Sequence, residues 1–83
     1  MSYQAQFEGQ ALVQLKGLPQ AAFDALVERV ADLVREPRDA DLMTAGGDPA
    51  YRQALFGQGY GLLSFRVDDV TEVIGIFDIA WIG

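Results

Sequence analysis

Leu62-Leu63-Ser64-Phe65-Arg66-Val67-Asp68-Asp69-Val70-Thr71-Glu72-Val73-Ile74-Gly75-Ile76-Phe77-Asp78-Ile79-Ala80-Trp81-Ile82 is the stretch that decides the fold class. β-Branched and aromatic residues dominate it, and they suit a pleated, half-buried surface. Residues 62–67 read as one strand, 68–71 as a turn and 72–82 as a longer second strand. A hairpin loop of Asp69-Val70-Thr71 puts Leu63, Phe65 and Val67 on one face with Val73, Phe77, Ile79 and Trp81. The opposite face then carries Ser64, Arg66, Glu72, Ile74, Ile76 and Asp78. A loop one residue longer mixes these sets, because such a slip turns one strand over. The first register is preferred because it separates the cleaner core face.

Upstream, Gly57, Gly59 and Gly61 interleave with Gln58 and Tyr60 and weaken any strand that begins there. Residues 50–56 fit a short helix or a short strand, and their pattern does not decide. Residues 37–49 are turn-rich and predict a loop with one helical turn near residues 41–43. Before them, Phe23, Leu26, Val27, Val30, Leu33 and Val34 recur at helical spacing, with Asp24, Glu28, Arg29, Asp32 and Arg35 mostly on the far side. Pro19 suits the first turn of this helix, and Glu36-Pro37 stops it. Ala11, Leu12, Leu15 and Leu18 share one face of a shorter helix that starts near Glu8 and ends at Gly17. Tyr3-Gln4-Ala5-Gln6-Phe7 alternates apolar and polar residues, the period of a half-buried strand. The order predicts an α+β domain over residues 1–83: strand, two helices, then antiparallel strands, with the helices packed on one sheet face.

At 83 residues the chain has room for one core. It lacks cysteine and histidine, which excludes disulfides, thiolate metal sites, the Ser-His-Asp triad and the Cys-His dyad. Twelve acidic against six basic side chains give a net charge of −6. Such a field repels phosphate and anionic membrane surfaces and favours a basic protein or peptide as partner. No basic segment followed by an apolar core opens the chain, and the apolar run of residues 73–82 is too short to span a bilayer; a cytoplasmic location is expected.

Few constellations carry chemistry. The Gly57–Gly61 spacing resembles a phosphate-binding loop, but a strand follows where such a loop needs a helix; it reads as a flexible or bulged start to the strand, or as a backbone ligand contact. Arg52 and Arg66, with Tyr51 and Tyr60, are the candidates for holding an anion or a base. The alternative for Arg66 is a cross-strand pair with Glu72 or Asp68. Asp78 interrupts an apolar run; it is an acid in a cleft, a guard against edge-to-edge pairing, or a solvent-facing residue. Asp39/Asp41 and Asp68/Asp69 lack the spacing of a calcium loop, so neither metal nor cofactor is expected. Ile74, Ile76 and Ile82, beside Asp78 and Ala80, form an apolar strip on the uncovered sheet face. That strip predicts a site for a partner helix or strand, or for a second copy of the chain.

The opening strand, Ala11-Leu12-Val13-Gln14-Leu15-Lys16-Gly17-Leu18-Pro19, Tyr51-Arg52 and Gly59-Tyr60-Gly61-Leu62-Leu63-Ser64-Phe65-Arg66-Val67-Asp68-Asp69 together resemble the RelE/ParE toxin superfamily over nearly the entire chain. The resemblance implies a toxin-like component of a type II toxin–antitoxin pair, acting on translating mRNA or on gyrase, with an antitoxin-like partner. If it is an enzyme, it is at most a ribosome-dependent mRNA endonuclease. The resemblance leaves Arg52, Arg66 and Tyr60 as stand-ins for the family's catalytic residues. Gly61 stands where the family carries an arginine, and Ala80-Trp81-Ile82-Gly83 stands where it commonly turns basic. The alternative is a non-catalytic protein–protein interaction domain on the same scaffold.

Overall fold

Gly9 takes a backbone angle of φ 53°, which turns the chain out of its opening strand and into its first helix. The computed structural model describes residues 2–83. In chain order they form strand β1 (Gln4–Phe7), helices α1 (Gln10–Lys16) and α2 (Gln20–Leu33), a 3-10 turn (Pro37–Asp39), and strands β2 (Asp41–Leu42), β3 (Tyr51–Phe56), β4 (Gly61–Asp68) and β5 (Val73–Trp81). Gly17 closes α1, and Pro19 stands just before α2 with its carbonyl accepting from Phe23 N. The pre-set φ of proline suits that start.

The five strands make one sheet in the order β1-β5-β4-β3-β2. β2 to β5 are antiparallel neighbours, and β1 lies parallel to β5. Residues 51–56 therefore resolve as strand. The expected helical turn lies earlier than residues 41–43, at Pro37–Asp39, where proline opens the turn. Asp41 and Leu42 form the edge strand instead.

The sheet face expected for the last strand is corrected. β4 ends at Asp68 opposite Val73, so the connecting loop is residues 69–72, one longer than the preferred register allows. Glu72 closes that loop at φ 57°. Ile74 and Ile76 consequently face the helices opposite Val67 and Phe65, both at 0% exposure. A bulge then takes up one residue between Ile76 and Asp78, because Ser64 pairs with Asp78 while Phe65 pairs with Ile76. Phe77 is the extra residue. Past it, Ile79 pairs with Leu63 and returns to the core face as expected. The core thus joins Leu26 and Leu33 of α2 to Leu63, Phe65, Ile74, Ile76 and Ile79. The predicted apolar strip of Ile74, Ile76 and Ile82 does not exist as a surface, since two of its three isoleucines lie beneath the helices.

Candidate functional site

Where β1 stops, the backbone of β5 loses its strand partner, and α1 supplies one. Gln14 accepts from Ile79 N through Oε1 at 2.7 Å and donates through Nε2 to Asp78 Oδ1 at 3.0 Å. Gln10, one turn earlier, donates to the same carboxylate oxygen at 3.1 Å. Asp78 therefore ties α1 to the edge of β5. Neither glutamine was singled out by sequence; their i, i+4 spacing was the available signal.

The sheet face turned away from the helices carries two clefts. One, of about 340 Å³, is lined by Gln6, Glu8, Arg66, Asp68, Thr71 and Gly75. The Arg66 guanidinium lies 3.9 Å from Asp68 Oδ2, and Glu8 presses its carboxylate against Gly75, where a Cβ would meet it at 2.5 Å. The Thr71 backbone N–H, then that of Val70, holds Asp68 below the usual carboxylate range, with a smaller contribution from Arg66. One cation faces two acids here, which opposes phosphate binding. The second cleft, of about 430 Å³, contains Met43, Tyr51 and Phe77, the two rings meeting edge-on at 6.0 Å.

Arg52 lies on the other face of the sheet, beneath the 37–49 loop. Its guanidinium donates to Pro49 O at 3.0 Å, Ala40 O at 2.9 Å and Arg38 O at 3.3 Å. Its donors thus hold the loop to β3. Tyr60 belongs to the β3–β4 turn, where Gly57, Gln58 and Gly59 all have positive φ. The glycine-spaced segment is the turn of a hairpin. Six residues of extended chain separate Tyr60 from Arg66, about 20 Å. The structure does not bring Arg52, Arg66 and Tyr60 around one reacting phosphate. Among the described residues, no three acidic side chains gather as metal ligands, and no helix is long and apolar enough to cross a membrane.

Tyr60 lines a third cleft, of about 590 Å³, between α2 and the β3–β4 turn. Trp81 stacks on Phe56 at 5.7 Å and meets Tyr60 at 6.4 Å. Glu28, Arg29 and Asp32 of α2 form the opposite rim. At the far end of the sheet, Tyr3 donates to Asp69 Oδ1 at 2.7 Å and Arg38 pairs with the same carboxylate through both its terminal nitrogens. Arg38, then Tyr3, lowers the Asp69 pKa, while hydrogen bonding to Asp69 raises that of Tyr3. This clip ties the opening strand and the 3-10 turn to the β4–β5 loop.

No protein-family model matches the chain, and no curated protein matches it. Solved structures do. The isolated Escherichia coli RelE toxin superposes with a TM-score of 0.84 at 18% identity, covering 99% of this chain and 86% of that one. The toxin–antitoxin complex RelBE2 from Mycobacterium tuberculosis gives 0.81 at 26% identity, covering 99% and 100%. The intact E. coli RelBE complex gives 0.82 at 18% identity, covering 99% of each chain.

Proposed function

This chain has the fold of the RelE/ParE toxin superfamily, and from that premise we propose that it is the toxin-like component of a type II toxin–antitoxin pair, with an incomplete set of mRNA-cleaving residues. The observation that carries the reading is the fold match along nearly the whole chain, including to RelE structures solved as complexes with RelB antitoxins. An antitoxin-like protein is the partner, and the pair acts in the cytoplasm. Ribosome-bound mRNA and gyrase are the targets that the resemblance offers.

The second reading, a non-catalytic interaction domain on this scaffold, is favoured by the dispersal of the candidate residues. Arg52 faces backbone carbonyls, Arg66 sits between acids, and Tyr60 belongs to a different cleft. Without histidine, the chain also lacks the side chain that most readily moves a proton near neutral pH.

Co-expression with the product of the adjacent reading frame tests the pairing, with growth and transcript cleavage scored for the chain alone. The expected result is a complex that co-purifies, and no cleavage of ribosome-bound mRNA by the purified chain. Absence of any complex with the neighbouring product counts against the toxin–antitoxin assignment. Cleavage that Arg66→Ala or Tyr60→Phe abolishes would show that the catalytic set is complete after all.

A further inference from the structure

The cleft between α2 and the β3–β4 turn has two walls of different chemistry. One wall is aromatic: Trp81 lies so close over Gly57 that a Cβ there would sit 2.6 Å from its ring, and Tyr60 stands beside it, 55% exposed. Only glycine takes both that contact and φ +61° without strain. The other wall is acidic. Glu28 and Asp32 project one helical turn apart from the same face of α2, and Ala21 and Ala25 on that helix keep the cleft open between the walls. Arg29 also lies on this rim, with its Nε donating to Leu55 O at 3.1 Å, which leaves one negative charge in excess. Aromatic faces attract cations, and the net charge of −6 reinforces the local field.

We propose that this cleft docks a basic segment of a protein partner, with lysine or arginine side chains against Glu28 and Asp32 and an apolar side chain against Tyr60 and Trp81. The inference deepens the proposed function and rests on it only in taking the partner to be a protein. The two walls run along α2 from Ala21 to Asp32, about 16 Å, long enough for several residues of an extended peptide or three turns of a helix. An acidic segment is repelled from the same cleft.

Trp81 is the only tryptophan, so its emission reports on this cleft directly. The probe is a synthetic peptide of alternating leucine and lysine, with one of alternating leucine and glutamate as its counterpart. Saturable change in Trp81 emission is expected with the lysine peptide and not with the glutamate peptide. The double variant Glu28→Lys/Asp32→Lys should weaken binding about tenfold or more. Asp39→Lys/Asp41→Lys changes the net charge equally but lies outside the cleft, and it should leave binding within about twofold once net-charge screening is matched by salt. Far-ultraviolet circular dichroism checks that α2 is intact in both. Equal weakening by the two double variants, no response in the wild type, or a response to the glutamate peptide overturns the proposal. A chain that binds the lysine peptide but forms no complex with the neighbouring gene product keeps the docking site and loses the toxin–antitoxin assignment. A chain with the reverse behaviour keeps the assignment and loses the site.

Discussion

Trp81 buries its indole N–H with no hydrogen-bond partner among the protein atoms. A buried unsatisfied donor costs about 1–3 kcal/mol, so the ring is held by its stack on Phe56 in spite of that group. Trp81→Phe keeps an aromatic face and removes the donor; its stability in urea denaturation should lie within about 1 kcal/mol of wild type, whereas Trp81→Ala should lose about 2–4 kcal/mol. Equal losses in the two variants would show that the indole N–H is satisfied in solution. Arg52 gives the opposite case, a charged group whose donors are well used. Arg52→Ala leaves carbonyls of the 37–49 loop unpaired and should cost about 2 kcal/mol, read by the same denaturation. A neutral outcome would mean that water replaces the guanidinium at no cost. Asp69 links stability to pH. Its folded pKa is depressed, as is that of Asp68, so both contribute stability above the unfolded carboxylate value of about 4 and lose it as pH falls through the folded values. Tyr3 is raised, so its contribution is complete below about pH 10 and fades above it. Thermal unfolding should therefore show a plateau between those limits, and Asp69→Asn should flatten the acid side.

Strand faces are set between elements, and there the sequence is least informative. The apolar period of α2, the brackets of Pro19 and Glu36-Pro37, and the alternation of β1 are local signals, and each element forms where its residues predict. β5 is apolar on both faces, so alternation cannot choose which face is covered. The choice falls to the four-residue loop after Asp68 and to the bulge at Phe77, both products of pairing with β4. The same limit hid the parallel placement of β1, because nothing in Tyr3–Phe7 names its partner. The corrected faces set the relative cost of two substitutions. Ile76→Ala should cost about 2–5 kcal/mol, since the side chain has 0% exposure. Phe77 lies half-buried on the outer face against Tyr51, so Phe77→Ala should cost less, about 1–2 kcal/mol. Paired urea titrations decide the matter, and a larger loss from Phe77→Ala would return Phe77 to the core.

Over the whole molecule, charge was legible in the sequence, and the disposition of that charge was not. Composition announces six cations but not what each one faces. In the structure Arg38 pairs with Asp69, Arg66 sits beside Asp68, Arg52 donates to three carbonyls and Arg29 to one. Among the described residues Lys16 and Arg35 are left, one in the last turn of α1 and the other just past the end of α2. Nucleic-acid affinity grows with the number of phosphates that cations neutralise, because each neutralisation releases counterions. Two separated cations on a chain of net charge −6 release few. Fluorescence anisotropy with a labelled single-stranded RNA should therefore show no sub-micromolar binding at physiological salt, and only a shallow dependence of any weak binding on salt. Tight binding that falls steeply as salt rises would require Arg38 and Arg66 to leave their carboxylates for the RNA. Asp69→Asn and Asp68→Asn would then strengthen it, whereas with those pairs intact the same substitutions should change RNA binding only by the small effect of net charge.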